Sequence, residues 1–510
     1  MKLQLLIYLI LLPLGLLAQR QTTESLLETA FEHFMEGNFE QSIQMYDRAL
    51  QTNSKSQRAL TGKSRVLIEL QKPAEAVYTL RTALKYFPAD DEAYYYLGNA
   101  YYYLENYDSA IWCYNQAIRL DTEVSVYYSD RGDAHLELEQ YKLAMDNYLT
   151  GIEKDPENDL AWYGAGLAHY YQENYDSARY YLSKAIRLNP LEADYYYQRA
   201  MAKSLSGDMD SAWQDFDFCL NLDTLHLEAY HSRAKLNMEF GDLESALDDL
   251  FEAYSIDTVN LDVINDIGNV YMMQLLFEDA KDAFDAMLEI DPTLDLAYYN
   301  RGLAFLYLGQ YDAALKDFNE GIKLNPEDFS YLLGRGNAYL RLNNKDKALA
   351  DFNRVINAEP SNMLAMYNLA MALAEFEEFE ESLSYLSQIE NIEPEYPDLY
   401  FSKANIEMEM GLYGEALKNY DLAIIEAPTN PMIFFRRGIL LYEIDELEGA
   451  MDDFGHAIRL EPGMANPYVN RGLVKMELKD KEGACADWKK GFQLGSEYAQ
   501  ELLRENCRKR

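Results

Sequence analysis

Basic residues, cysteine and histidine are all scarce in this chain of 510 residues. Lysine and arginine number 45 against 86 aspartates and glutamates, which gives a formal net charge of −41. So acidic a chain repels phosphate backbones and anionic lipid headgroups, which argues against a general role on nucleic acid or on membrane surfaces. The four cysteines form no C-x-x-C pair, and no two of the six histidines have the spacing of a helical metal site. We therefore expect neither a metal nor a cofactor.

Long apolar runs are also scarce, and the one that stands out is at the start of the chain. Residues 1–18 read MKLQLLIYLILLPLGLLA, so that Lys2 precedes an apolar stretch that ends at the small residue Ala18. This order is typical of a secretory signal peptide, although Leu16 stands where a small residue is preferred. The alternative is an uncleaved membrane anchor, but the stretch is shorter than the roughly 20 residues that a spanning helix needs. We therefore expect an exported protein of the periplasm, the cell envelope or the exterior, without a membrane span once the signal is removed.

The rest of the chain repeats itself every 34 residues. One series of small residues comprises Ala30, Gly98, Gly132, Gly166, Ala200, Ala234, Gly268, Gly302, Gly336, Ala370, Ala404, Gly438 and Gly472. A second series, twelve residues further on, includes Ala76, Ala110, Ala144, Ala178, Ala212, Ala246, Ala280, Ala314, Ala348, Ala416, Ala450 and Ala484. Small residues at two fixed places let two helices approach closely, so this period predicts a tandem array of helix pairs.

The repeated motif resembles that of the tetratricopeptide repeat family, which is W-x2-L-G-x2-Y, then A-x3-F, then A and P. The third copy, EAYYYLGNAYYYLENYDSAIWCYNQAIRLD, matches nearly all of it, and the fifth copy keeps even the leading Trp162. The resemblance implies an all-α fold, a right-handed superhelical solenoid of antiparallel helix pairs. In such a fold each unit is stabilised by its neighbours, because one pair alone cannot bury its apolar face.

The register of the repeat predicts the domain plan. The plan has a signal peptide at residues 1–18, a short linker at 19–22, fourteen tandem units at 23–498, and the end of a C-terminal capping helix at 499–510. The units abut without insertions, which leaves no room for a grafted catalytic domain. We therefore expect that the protein is not an enzyme.

Two of the cysteines lie near the C-terminus. Cys485 belongs to the last repeat and Cys507 to the predicted capping helix, in which Tyr498, Leu502 and Leu503 have helical apolar spacing. An exported protein can keep a disulfide between them. The alternative is a pair of free, buried thiols.

Arginine recurs just before the small residue of the first helix in seven repeats, at Arg131, Arg199, Arg233, Arg301, Arg335, Arg437 and Arg471. Sixteen residues later the same repeats carry Asn147, Asp215, Asp249, Asp317, Asp351, Asp453 and Asp487. Repeats without a basic residue there have Met45, Cys113, Tyr181, Ala283 and Tyr385 instead. This covariation predicts a partly buried pair between the two helices of a repeat, which favours register more than net stability. Contact with a ligand is the alternative role for these arginines.

The sequence thus predicts a non-enzymatic scaffold for protein–protein interaction. The resemblance implies that an extended peptide or protein segment binds in a concave groove lined by the first helices. A basic partner would complement the charge of the chain, and a nucleic-acid partner is not expected. The alternative is a module of the cell envelope that binds glycans or other ligands, since tyrosine rings offer flat apolar faces for stacking on sugars.

Two sets of residues are candidates for binding in that groove. Asparagine offers both a donor and an acceptor, which matches one peptide unit of an extended chain. The asparagine set, with the aromatic residues expected beside it, comprises Asn269, Asn300, Asn337, Asn368, Asn405, Asn470, Tyr299, Tyr307, Tyr367 and Phe401. The tyrosine set of the earlier repeats comprises Tyr95, Tyr96, Tyr102, Tyr103, Tyr163, Tyr170 and Tyr171. The alternative is that both sets only pack and solvate the groove, since these residue types are common there throughout the family.

Overall fold

The computed structural model describes residues 22–507. The signal peptide predicted at residues 1–18 and most of the linker predicted at 19–22 lie outside the described residues. Within residues 22–507 the chain forms 29 helices and no strand, which confirms the predicted all-α fold. The chain divides into two compact units, Met1–Val263 and Ile264–Arg510.

The helices of the first unit alternate as the first and second helix of successive repeats. They are α1 (Thr23–Met35), α2 (Phe39–Thr52), α3 (Gln57–Glu69), α4 (Pro73–Tyr86), α5 (Asp91–Tyr102), α6 (Tyr107–Leu120), α7 (Ser125–Glu137), α8 (Tyr141–Lys154), α9 (Asp159–Tyr170), α10 (Tyr175–Leu188), α11 (Ala193–Leu205), α12 (Met209–Leu222), α13 (Leu227–Glu239) and α14 (Leu243–Ile256).

The division between the units falls inside the next helix, and the same alternation continues after it. The helices are α15 (Leu261–Met273), α16 (Phe277–Ile290), α17 (Asp295–Tyr307), α18 (Tyr311–Leu324), α19 (Ser330–Arg341), α20 (Lys345–Ala358), α21 (Met363–Glu375), α22 (Phe379–Ile392), α23 (Leu399–Glu409), α24 (Tyr413–Glu426), α25 (Pro431–Glu443), α26 (Leu447–Leu460), α27 (Ala465–Glu477), α28 (Lys481–Gln493) and α29 (Glu497–Asn506).

The small residues of the period are required by close packing, as the ninth and tenth repeats illustrate. A Cβ atom added to Gly302 would lie 2.8 Å from the ring of Phe318, which is fully buried. A Cβ atom added to Gly334, in the next repeat, would lie 2.6 Å from the same ring. The large residue on each second helix therefore fills the space between successive repeats, and glycine lets the first helices approach it.

The predicted arginine pairs within a repeat are confirmed. Six guanidinium groups each donate two hydrogen bonds to the aspartate sixteen residues later, over N–O distances of 2.6–3.0 Å. The seventh, that of Arg131, donates to the amide oxygen of Asn147 at 2.7 Å. All six carboxylates are nearly buried, so these are interior pairs with the two-point geometry that suits arginine.

Most of these arginines also have a second partner, which the sequence analysis did not identify. Six of them donate to the residue sixteen positions earlier, on the second helix of the preceding repeat; these acceptors are Asn115, Ser183, Asp217, Asp285, Asn319 and Asp421. Arg471 has Gly455 at that position. The arginine therefore links two successive repeats as well as the two helices of its own.

The C-terminal helix α29 packs on the last repeat. Leu502 is buried in a cluster with Val469 and Trp488. Tyr498, which shares the predicted apolar spacing, is instead 54% exposed. Cys485 and Cys507 form a disulfide, and their Cα atoms lie 5.8 Å apart. The bridge ties the end of the chain to α28.

Candidate functional site

In the second unit the first helices α17, α19 and α21 contact one another in series, and we call the surface that they share the first-helix face. A cavity of about 440 Å³ lies on it between α17, α19 and α21. We call it the asparagine cavity, and it is lined by Leu303, Leu306, Tyr307, Asn337, Leu340, Arg341, Asn368, Met371 and Glu375. Its volume falls within the range of roughly 300–1,000 Å³ that is usual for ligand pockets, and its lining is apolar with a few polar groups.

Asn337 and Asn368 are the two members of the asparagine set that line this cavity. Both are half-buried. Among residues 22–507, neither side-chain amide takes part in a hydrogen bond. Each amide can donate two hydrogen bonds and accept two, so the pair offers unused capacity to an incoming peptide backbone.

The other four asparagines of the set are engaged inside the protein. Asn300 donates to Asn265 at 2.8 Å, Asn405 accepts from the Tyr420 hydroxyl at 2.8 Å, Asn470 donates to the Asn466 carbonyl at 3.2 Å, and Asn269 donates to Asp266 at 3.4 Å. The structure thus brings two of the six asparagines together in one cavity, and the remaining four contact their own helix or its neighbour.

The aromatic residues expected beside the asparagines also separate into two groups. Tyr307 lines the cavity, is 65% exposed, and stacks on Phe277 with ring centroids 4.8 Å apart. Two of the others contact the next repeat, since Tyr299 meets Tyr331 edge to face at 5.6 Å and Tyr367 shares a hydrogen bond of 2.8 Å with the Ser402 hydroxyl, whereas Phe401 lies 6.2 Å from Tyr420 of its own repeat. Tyr307 is therefore the ring of this group that is most available to a ligand.

The tyrosine set of the first unit makes many ring contacts of its own. Ring centroids are 5.1 Å apart for Tyr95 and Tyr96, 6.0 Å for Tyr102 and Tyr103, 4.7 Å for Tyr163 and Tyr195, and 5.5 Å for Tyr170 and Tyr171. Tyr103 and Tyr171 are the members that are more than half exposed, at 64% and 53%. Tyr163 therefore packs against the next repeat, while the other three pairs each join adjacent residues of one helix.

A second, smaller cavity of about 110 Å³ lies on the first helices of the third and fourth repeats, α5 and α7. We call it the acidic cavity, and it is lined by Asn99, Tyr102, Tyr103, Tyr114, Asp130 and Asp133. Asp130 accepts a hydrogen bond from the Tyr95 hydroxyl at 2.8 Å, and Asp133 accepts one from the Tyr148 hydroxyl at 2.7 Å. Among residues 22–507, no lysine or arginine forms an ion pair with either carboxylate.

Burial raises the pKa values of both carboxyl groups. Burial raises the pKa of Asp130 to about 6, even though hydrogen bonds from Tyr95 and Asn99 favour its charged form. Burial, together with repulsion from Asp130, raises the pKa of Asp133 to about 7. A cation brought into this cavity would therefore meet two carboxylates that lack a counter-ion inside the protein.

Asp130 and Asp133 were not predicted from the sequence, because only asparagine and tyrosine were considered as binding residues of the groove. The 34-residue register of the repeats contained a signal that could have identified these two aspartates. Asp130 lies five periods of 34 residues before Asn300, and Asp133 lies six periods before Asn337. The two aspartates thus occupy, in the fourth repeat, the positions that carry asparagine in the later repeats.

No group of three or more histidine, cysteine, aspartate or glutamate side chains within residues 22–507 is placed to hold a metal ion. No helix in that range combines the length and the apolar character needed to cross a membrane.

Comparison with known proteins points to one repeat family. A family model described as tetratricopeptide repeat matches residues 61–123, 129–193, 165–217, 299–362 and 333–399. No curated protein matches the chain.

Three solved structures are similar to the chain. One is the APC/C hetero-tetramer Cut9-Hcn1, at 14% identity and a TM-score of 0.40 over 96% of this chain and 97% of that one. Another is a tetratricopeptide repeat protein from Parabacteroides merdae, at 20% identity and a TM-score of 0.34 over 62% of this chain and 99% of that one. The third is MamA, at 23% identity and a TM-score of 0.29 over 32% of this chain and 94% of that one.

Proposed function

The chain belongs to the tetratricopeptide repeat family, and on that premise we propose that it is a non-enzymatic scaffold that binds an extended segment of a protein partner on its first-helix face. The family fold is typical of protein-interaction scaffolds. The observation that carries the proposal is the asparagine cavity, in which Asn337 and Asn368 present two unbonded amides over an apolar floor. A peptide backbone supplies the donors and acceptors that these amides lack.

The acidic cavity supports a partner that carries a basic side chain as well. Asp130 and Asp133 have no cation of their own among the described residues, and the whole chain has a net charge of −41. A cavity of about 110 Å³ accommodates the end of one side chain and not a sugar residue with its neighbours. In this proposal an ammonium or guanidinium group of the partner would pair with these carboxylates.

We further propose that the protein acts outside the cytoplasm. The apolar stretch at residues 1–18 supports export, and the disulfide between Cys485 and Cys507 suits an oxidising compartment. Localisation of the native protein by cell fractionation tests this part. Recovery of full-length protein with an intact N-terminus from the cytoplasm would overturn it.

Site-specific cross-linking tests the binding surface. A photo-reactive residue replaces Met371 in the asparagine cavity, and in a second variant it replaces Leu422, which is exposed on the second helix α24. Cross-linking in the native host followed by mass spectrometry identifies the segment captured at each place. We expect a protein segment to be captured at position 371 and not at position 422.

A synthetic peptide of the captured segment then measures the contribution of the two amides. The double variant N337A/N368A should lose about 2 kcal/mol of binding free energy, which is roughly 30-fold in affinity, if each amide loses one or two hydrogen bonds. The matched control is N269A/N470A, which removes two asparagines of the same unit that already bond within the protein. Equal affinity for N337A/N368A and the native protein would contradict the proposal, and tighter binding of an envelope glycan than of any peptide would favour the glycan alternative.

A further inference from the structure

A further cavity of the first unit is lined by no member of the tyrosine set. Its volume is about 610 Å³, and it lies between α4, α5 and α6. We call it the α4–α6 cavity, and it is lined by Arg81, Leu84, Lys85, Tyr94, Leu97, Tyr101, Asp108, Ser109 and Trp112. None of these residues belongs to the asparagine set or the tyrosine set, so this cavity is separate from the surface to which the proposed function refers.

The third repeat, which contributes Leu97 to the cavity, departs from the arginine pattern of seven other repeats. Leu97 stands where seven repeats carry the bridging arginine, and Cys113 stands sixteen residues later in place of the acidic partner. Four further repeats also lack a basic residue there, and the place of the acidic partner is then occupied by Met45, Tyr181, Ala283 or Tyr385. Cys113 is fully buried in one apolar cluster with Leu97, so this junction has neither the bridging arginine nor its acidic partner.

At this junction a positively charged residue also stands where other repeats have a hydrogen-bond acceptor. Arg81 lies sixteen residues before Leu97, which is the position where other repeats supply the acceptor for the bridging arginine. It stacks over Tyr101, with 5.8 Å from the guanidinium carbon to the ring centroid, and donates to the hydroxyl of that ring at 2.5 Å. Among residues 22–507, no carboxylate pairs with Arg81 or with Lys85 one turn further along α4. This junction thus has the cations of an ion pair and lacks the carboxylate.

Aromatic side chains complete the wall opposite α4. Trp112 is 55% exposed, and Tyr94 meets it edge to face with ring centroids 6.0 Å apart. Leu84 and Leu97 form the apolar floor, and Asp108 and Ser109 lie at the rim in the first turn of α6. Tryptophan, tyrosine and arginine are the residues that most often dominate the binding energy of protein interfaces.

We propose that the α4–α6 cavity binds an acidic segment of a partner polypeptide, in which an apolar side chain adjoins an aspartate or glutamate. The apolar side chain lies on Leu97 beneath Trp112, and the carboxylate pairs with Arg81 and Lys85. The partner thereby supplies the carboxylate that the chain itself supplies at the other junctions. The carboxylate end lies toward α4, since Asp108 repels it from α6.

Peptide arrays test this proposal with the full-length chain. One array contains nine-residue peptides with a central phenylalanine, leucine or tryptophan flanked by aspartate or glutamate, and the other replaces each acid by its amide. We expect acidic peptides to bind at least about tenfold more tightly than their amide counterparts, as fluorescence anisotropy will measure. R81E/K85E should abolish this preference and W112A should weaken binding of both arrays, while R81E/K85E should acquire affinity for the corresponding lysine peptides.

The matched control is R119E/R187E. These arginines are exposed and occupy, in the third and fifth repeats, the position that Lys85 has in the second. The control changes the net charge by the same amount, and it should bind acidic peptides as the native chain does. Circular dichroism shows whether each variant is folded. The proposal is overturned if no acidic peptide binds better than its amide counterpart, or if R119E/R187E loses as much affinity as R81E/K85E.

Discussion

Removal of a single bridging arginine should destabilise the second unit by several kcal/mol. Arg301 donates two hydrogen bonds of 2.7 Å to Asp317 and a further one to Asp285. The side chain of Asp317 is only 7% exposed, so R301L leaves a carboxylate buried without its partner. Loss of one partner from a buried pair costs about 3–5 kcal/mol, and the partial exposure of Arg301 favours the lower end of that range.

A second substitution should return most of the lost stability. The double variant R301L/D317C reproduces at this junction the Leu97 and Cys113 of the third repeat. It removes the buried charge together with its partner, which is often nearly neutral for stability. Asp285 loses Arg301 too, but it is 39% exposed and keeps Lys281 at 3.3 Å, so we expect a residual loss of about 1 kcal/mol.

The loss caused by R301L should also depend on pH. Burial raises the pKa of Asp317, while its bonds from Arg301 lower it, so removal of the arginine leaves the upward effect alone. A carboxyl whose pKa is higher in the folded than in the unfolded state binds its proton more tightly when folded. The folded state of R301L therefore gains stability as the pH falls through that raised pKa. We expect the difference from the native protein to shrink between pH 8 and pH 5.

Urea unfolding followed by circular dichroism, with hydrogen exchange of α17 and α18, measures these effects. Both methods are needed because repeat arrays can unfold in parts. The reasoning would be refuted if R301L stayed within about 0.5 kcal/mol of the native protein, or if R301L/D317C were as unstable as R301L.

Glycine, cysteine and aspartate positions provide three more tests. G321A should lower the free energy of unfolding by about 1–3 kcal/mol, because its Cβ would lie 2.2 Å from the Tyr331 ring, whereas G414A, with no atom within 4 Å, should cause no loss. C507S should speed hydrogen exchange in α28 and α29, and it should lower the free energy of unfolding by about 3 kcal/mol, because the lost bridge spans 22 residues. Thiol titration of the unfolded, unreduced native chain should find two thiols and not four. D130N/D133N should raise the melting temperature at pH 8 but not at pH 5. The reason is that burial raises the two pKa values to about 6 and about 7, so the folded protein loses stability when these carboxyl groups ionise as the pH rises. An equal change in melting temperature at both pH values would contradict this.

The helices and their packing could be predicted because each repeat encounters almost the same neighbours. Gly302 and Phe318 meet as the spacing required, and Arg301 pairs with Asp317 as the covariation indicated. These contacts join two positions of one repeat, so fourteen copies of the sequence contain the same information many times. The bond from Arg301 to Asp285 was missed, although the residue sixteen positions earlier is Asn, Ser or Asp in six of the seven cases. A search that compared neighbouring repeats as well as single ones would have found it.

The candidate site was harder to predict because it depends on which side chains lack a partner. Asn337 and Asn405 occupy the same position of the repeat, yet Asn405 accepts a hydrogen bond from Tyr420 and Asn337 accepts none. The residue fifteen positions after Asn337 is Phe352, which has no hydroxyl. The same tyrosine contact engages Asn99 through Tyr114. A single missing oxygen atom on the second helix thus leaves one asparagine of the set available for binding.

The same reasoning applies to the asparagine cavity and to the α4–α6 cavity, and it gives a general reason to look in a repeat protein for the repeats that depart from the common pattern. A contact that recurs in many repeats stabilises the array, since each copy contributes to the same interface. Where one of the two contacting residues is replaced, the other keeps a polar group without its usual partner, or an open space remains between the helices. Phe352 has this effect beside Asn337, and Leu97 with Cys113 has it beside Arg81. Since an unused polar group costs free energy unless water or a ligand satisfies it, these two junctions are where a partner can contribute most to binding.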